Sequence, residues 1–157
     1  MTKSDRPTTA AAPDLSAGVR LSMTTRVLAA VVMRGNRYLL CKRPANKRHG
    51  GLWEFPGGKL EAGETHLDAA RRELLEELGV DVVAVAAPLF SVADPGSEFV
   101  IEFVPTSIRG EPTCVEHSDL KWLPLDELPM LDLAPSDRSF VEFLRSTRVT
   151  DQRISSF

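Results

Sequence analysis

Three glutamates bound the chemistry this chain can attempt. Glu73, Glu76 and Glu77 stand at i, i+3 and i+4 in the run Arg72-Glu73-Leu74-Leu75-Glu76-Glu77-Leu78. On a helix, at about 100° per residue, they share a sector roughly 100° wide. Carboxylates so close repel one another. A hard divalent cation reverses that balance, because Mg²⁺ takes oxygen ligands and neutralises the cluster, and Mn²⁺ can stand in for it. Just upstream lies Pro56-Gly57-Gly58, where glycine lets the backbone turn sharply and bring a carbonyl near the same cation. Such a set suits hydrolysis of a polyphosphate gripped through metal rather than through many lysines. A Glu-rich helix chosen at random is usually only a solvated acidic face, so the wider spacing has to decide.

The elements that must position these groups follow from local pattern. Residues 66–78 read as a helix. Thr65 can cap it, with Asp68 three residues on, and Gly79 can end it. Leu67, Ala70, Leu74 and Leu78 recur at three- and four-residue steps as its apolar seam. Residues 25–33 form a short apolar run rich in β-branched side chains, expected as a buried strand. Arg34-Gly35-Asn36 is turn chemistry, and residues 37–42 return as the second arm of a hairpin. Residues 52–55 read as a short strand that stops at Pro56, followed by a glycine turn. Residues 80–91, 98–108 and 120–123 read as further strands, 126–130 as a helical turn, and 137–146 as a closing helix with Phe140, Val141 and Leu144 on one stripe. Strands that come both as hairpins and around a helix imply a mixed sheet with helices on its faces, an α/β fold.

Composition narrows the partners. The chain has 157 residues and a formal charge of −3, with 43% hydrophobic and 26% charged residues, enough for one soluble domain with a real core. That charge argues against gripping a nucleic acid polymer through its phosphates, though local cations and one metal can neutralise a single triphosphate. No apolar stretch approaches the roughly 18 residues needed to span a membrane, and no signal-peptide pattern opens the chain. Cys41 and Cys114 make neither metal spacing nor a disulfide framework; each is expected to be a small buried hydrophobe in a reducing, cytoplasmic setting. Residues 1–22 are expected as a flexible N-terminal tail, 23–149 as the single catalytic domain and 150–157 as a C-terminal tail. The oligomeric expectation is a monomer or homodimer. No Ser–His–Asp or Cys–His constellation is offered, and His49, His66 and His117 are assigned to surface or core.

Residues 58–80, GKLEAGETHLDAARRELLEELGV, resemble the Nudix box, Gly-x5-Glu-x7-Arg-Glu-U-x-Glu-Glu-x-Gly-U with U a bulky apolar residue. Every specified position is met, by Gly58, Glu64, Arg72, Glu73, Leu74, Glu76, Glu77, Gly79 and Val80. With usage near 7% for each of seven fixed residues, chance agreement at one register is on the order of 10⁻⁸. The run RPANKRHGGLWEFPGGKLEAGET is similar to the MutT branch of that family, the nucleoside triphosphate pyrophosphohydrolases that clear oxidised guanine nucleotides, and their CTP-cleaving relatives. The resemblance implies an α/β/α sandwich around a mixed sheet, with the box as a loop–helix–loop. It implies Glu73, Glu76 and Glu77 as metal ligands with the carbonyl of Gly57, and Glu116 as a further carboxylate near the metals. It implies that Arg72 holds the catalytic glutamate and that Glu64 supports the metal shell. The general base is left open among Glu73, Glu76 and Glu116. Attack at the β-phosphorus, releasing pyrophosphate and a monophosphate, is the implied reaction.

Arg43 and Arg48 match positions that meet phosphate or base in MutT-like enzymes, and a guanidinium suits phosphate well. Phe55 is a candidate wall for a flat ring, with Phe99 and Phe103 less favoured over ordinary core packing. Asp137 falls where such enzymes address the base edge; an ionised Asp only accepts hydrogen bonds. Its place at a helix start equally suits an N-cap. Two rivals stand beside a triphosphate hydrolase. One is a Nudix hydrolase of nucleotide sugars or dinucleotides. The other is a non-catalytic nucleotide sensor, which the intact box glutamates disfavour.

Overall fold

The computed structural model describes residues 24–147. The two expected tails, 1–22 and 150–157, lie outside them. The chain folds into nine strands and two α-helices among the described residues, in the order β1 (Thr25–Val31), β2 (Met33–Arg34), β3 (Arg37–Lys42), β4 (Trp53–Glu54), β5 (Gly57–Lys59), α1 (His66–Leu78), β6 (Asp81–Val85), β7 (Phe90–Ala93), β8 (Phe99–Arg109), β9 (Asp119–Pro124), a 3-10 turn (Leu125–Met130) and α2 (Pro135–Thr147).

β1 is the hinge of the design. Its side chains alternate across the sheet, as strand geometry requires. Leu28, Ala30 and Val32 pack with Ala70, Leu74 and Leu78 of α1. Ala29 and Val31 point the other way, toward Phe103, Phe140 and Leu144. One strand thus feeds two cores, one under each helix, which is the α/β/α arrangement. β1 runs parallel to β8, with Leu28 opposite Glu102, and antiparallel to β5, with Ala29 opposite Gly57. β8 also carries β6 and β7 antiparallel. A second, antiparallel sheet is built on β3, which pairs with β2, β4 and β9. Under α2 the aromatic rings interlock: Phe103 stacks on Phe140 at 4.3 Å, and Phe55 meets both edge-on.

Several expected boundaries move. Pro56-Gly57-Gly58 is not a free turn, because Gly57 and Gly58 already belong to β5 and pair with β1. The 80–91 stretch divides at residues 86–89 into β6 and β7. α2 begins at Pro135, two residues earlier than expected, since proline tolerates the first helical turn. Cys41 is buried as expected, but Cys114 is exposed. α1 has the expected ends: Thr65 accepts from Asp68 N–H at 3.1 Å, and Gly79 closes the helix at φ 66 in the left-handed region.

Candidate active site

Five elements converge on one edge of the sheets. β5 supplies Gly57 and Gly58, α1 supplies the glutamates, β4 supplies Glu54, the end of β3 leads to Arg43, and the loop between β8 and β9 supplies Glu116. Glycine at 57 and 58 is a matter of clearance. A Cβ on Gly57 would collide with the Leu28 carbonyl, and one on Gly58 would collide with the carboxylate of Glu73. Glycine thus lets β5 lie close against β1 at Gly57 and leaves room for the Glu73 carboxylate at Gly58.

The three spaced acids divide in the fold. Glu76 is exposed on α1, whereas Glu77 is 9% exposed, sharing the buried side with the apolar seam rather than a solvated face. Glu77 Oε2 accepts from Gly57 N–H at 3.2 Å. Its carboxyl is pushed up to about 9, first by burial and then by the charges of Glu54, Glu73 and Glu116, with the Gly57 N–H acting in the opposite sense. Glu73 is also raised by burial, against the pull of Arg72. Arg72 acts as a bolt. It grips Glu64 with Nε at 3.0 Å and Nη2 at 2.7 Å, Glu73 with Nη1 at 2.6 Å, and the Lys59 carbonyl with Nη2 at 3.0 Å. That grip holds Glu64 below the usual carboxylate range. Glu116 is exposed on its loop, which is pinned to the helix end by Val115 N–H to Glu77 O at 3.0 Å and Thr113 N–H to Leu78 O at 2.9 Å.

Among the described residues no three acidic, imidazole or thiol groups are drawn into a closed metal shell. Glu73 is turned to Arg72. The donors nonetheless fit a hard divalent ion. They are all oxygens, and burial with the charges of Glu54, Glu73 and Glu116 opposes the Glu77 anion, which a cation would favour.

Two clefts open beside this cluster and share Arg43 and Glu54. The smaller, of about 170 Å³, reaches Glu77 and Glu116. The larger, of about 220 Å³, is bordered by Arg48, Phe99, Gly57 and Asp137. Arg43 donates from Nη1 to both Glu54 oxygens at 2.8 and 2.9 Å and from Nε to the Arg48 carbonyl; among the described residues its Nη2 makes no hydrogen bond. Arg48 is tied by Nη2 to buried Asp94 at 3.0 Å, and Asp94 in turn accepts from Ser136 Oγ at 2.9 Å. Phe55 borders the larger cleft, but its ring sits in the core, 3% exposed and edge-on to Tyr38, Phe103 and Phe140. Phe99 stands on the cleft wall instead, with Lys59 Nζ 5.0 Å from its ring centre.

Asp137 corrects one expectation and weighs against another. It is not the N-cap, since the helix starts at Pro135; from the first turn its Oδ1 accepts the buried Phe55 N–H at 2.8 Å. Its surroundings also oppose the ionised form assumed from its type. Burial and then the charge of Glu54 raise it well above the ordinary carboxyl value. A neutral carboxyl donates as well as accepts.

Glu54, Asp94, Lys59 and Ser136 escaped the sequence reading. Glu54 had a signal: an acid between two large apolar rings in a short strand is anomalous unless it has a partner. Asp94, before Pro95-Gly96, reads only as turn chemistry.

The NUDIX domain family matches residues 23–144. The chain is 36% identical over 131 residues to the CTP pyrophosphohydrolase of Escherichia coli, covering 80% of this chain and 96% of that one. It is 35% identical over 129 residues to a Mycobacterium tuberculosis protein whose provisional name is 8-oxo-dGTP diphosphatase 2, covering 77% and 88% of the two. The crystal structure of a MutT NUDIX hydrolase from Burkholderia pseudomallei superposes with a TM-score of 0.66 at 32% identity, covering 75% of this chain and 95% of that one.

Proposed function

This chain belongs to the Nudix family, and we propose that it hydrolyses nucleoside triphosphates with magnesium, yielding a nucleoside monophosphate and pyrophosphate in nucleotide-pool sanitation. The observation that carries this reading is the buried Glu77, lodged against Gly57 among three other carboxylates and opening on a cleft with an arginine at its rim. Relatives named for oxidised guanine and cytidine triphosphates support the substrate class.

Glu73, Glu76, Glu77 and Glu116, with the Gly57 carbonyl, would hold Mg²⁺ or Mn²⁺. Such an ion, when bound, would offset the charge of the polyphosphate and withdraw charge from the phosphorus under attack. Arg43 offers Nη2 to a phosphate oxygen while its Nη1 stays on Glu54. Arg72, locked between Glu64 and Glu73, keeps the Glu73 carboxylate against Gly58. Glu73, Glu76 or Glu116 takes a proton from the attacking water, which adds to the β-phosphorus as the bond to the α-phosphate oxygen breaks. Arg48 and Phe99 face the nucleoside in the larger cleft, with Phe55 packed behind it, and Asp137 addresses the base edge, where burial favours its protonated form, donor and acceptor both. That pairing suits cytosine and oxidised guanine alike.

The test is a Mg²⁺-supported panel of normal and oxidised NTPs and dNTPs with product identification. Monophosphate plus pyrophosphate is expected. Diphosphate plus inorganic phosphate, or turnover confined to nucleotide sugars or dinucleotides, refutes the assignment; tight binding without turnover would make the protein a sensor.

A further inference from the structure

His117 has no part in the reaction outlined above, yet it is among the most confined polar groups near the site. It follows Glu116 in sequence and is 9% exposed. The backbone on either side is fastened: Val115 N–H bonds to Glu77 O at 3.0 Å, and Ser118 N–H bonds to Lys42 O at 3.0 Å. These two ties span from the end of α1 to the end of β3 and leave the ring little choice of direction. Nε2 lies 3.5 Å from Glu54 Oε1, while Nδ1 is buried and has no hydrogen-bond partner among the described residues.

Electrostatics selects the tautomer. If Nδ1 carried the hydrogen, a buried N–H would be orphaned and the Nε2 lone pair would face an anionic oxygen. With the hydrogen on Nε2, the N–H faces the Glu54 carboxylate in a favourable electrostatic contact. At 3.5 Å this is an electrostatic contact and not a full hydrogen bond. Glu54 is the shared wall of both clefts and the seat of Arg43.

We propose that His117 is a positioning residue for hydrolysis: its Nε2–H steadies the Glu54–Arg43 pair, and its burial between two backbone ties sets the adjacent Glu116 beside Glu77. It holds Arg43 toward the phosphates and Glu116 toward the carboxylate cluster in a single side chain. This inference rests on the triphosphate-hydrolase reading for its kinetic arm only.

Two variants of the full chain separate positioning from packing. His117→Gln keeps an N–H where Nε2 stands; His117→Phe keeps the bulk and removes the donor. In Mg²⁺ assays on the nucleotide that the wild type turns over, His117→Phe lowers kcat/KM about 10- to 100-fold, the usual range for loss of an outer support, and His117→Gln stays within about threefold. In a Glu54→Gln background, His117→Phe adds little. Equal losses from Phe and Gln at matched Tm, or full additivity with Glu54→Gln, overturn the proposal. Independently of any activity, ¹⁵N spectra of the metal-free wild type report the ring tautomer. The Nε2–H form is expected, and an Nδ1–H form overturns the proposal, even if His117→Phe fails to fold. Absence of all triphosphate turnover in the wild type would sink the function reading while the spectrum still judges His117.

Discussion

Replacing Asp137 with Asn asks whether a carboxyl buried beside the cleft is neutral. The residue is 7% exposed, accepts from Phe55 N–H through Oδ1 at 2.8 Å, and is raised by burial and by Glu54. An asparagine amide is the closest uncharged copy of a protonated carboxyl: its oxygen keeps the Phe55 bond, and its NH₂ replaces the hydroxyl as donor. The folded carboxyl binds its proton more tightly than the unfolded one, whose value lies near 3.9. Above about pH 4 the folded protein therefore holds the extra proton, and wild-type stability falls as pH rises toward the folded value, by up to about 1.4 kcal/mol per pH unit. Glu77 and Glu73 contribute slopes of the same sign, but these cancel between wild type and variant. Urea unfolding in EDTA at pH 5, 6 and 7 should then show Asp137→Asn gaining on the wild type by up to about 2.7 kcal/mol across the two units. Asp137→Ala should share that pH trend but stand about 1–3 kcal/mol below Asp137→Asn at every pH, because Phe55 N–H is orphaned. Asp137→Asn should also leave the ranking of bases nearly intact, since donor and acceptor both survive. Parallel pH profiles for wild type and Asp137→Asn would refute the reasoning.

Three further predictions follow the same geometry. Glu77→Gln keeps the fold but loses at least about 100-fold in turnover. In EDTA its stability should exceed that of the wild type increasingly as pH rises from about 4.5 toward 9, because a carboxyl raised to about 9 loses its folding advantage over that window. Added Mg²⁺ should raise the Tm of the wild type and not that of this variant, as thermal scans will show. Gly58→Ala pushes the Glu73 carboxylate, the free end of a flexible side chain, out of its place, so kcat should drop about 10- to 100-fold while urea midpoints barely move. Phe140→Ala empties a ring stack that is fully buried and should cost about 3–5 kcal/mol in urea unfolding.

Much of this protein is legible along its chain because the relevant physics is local. The caps Thr65 and Gly79, the seam of Ala70, Leu74 and Leu78, the strand 37–42 and the spacing of Gly58, Glu64, Arg72 and the glutamates depend on periodicity and side-chain chemistry within a few residues. Those are enough to announce a mixed α/β sandwich and an acidic metal site. What only the tertiary structure decided are the environments. Glu76 and Glu77 are chemically identical neighbours, yet one faces solvent and the other is buried against Gly57, because β5 lies across only one side of the helix. Asp137 has its carboxyl raised by burial and by Glu54, while Phe55 N–H, from 82 positions away, pulls the other way. Glu54 becomes a hub because β3, β4 and the loop before β9 bring Arg43 and His117 to it. Desolvation and Coulomb energy depend on distance through space, and a linear sequence carries that distance only after the chain has closed on itself.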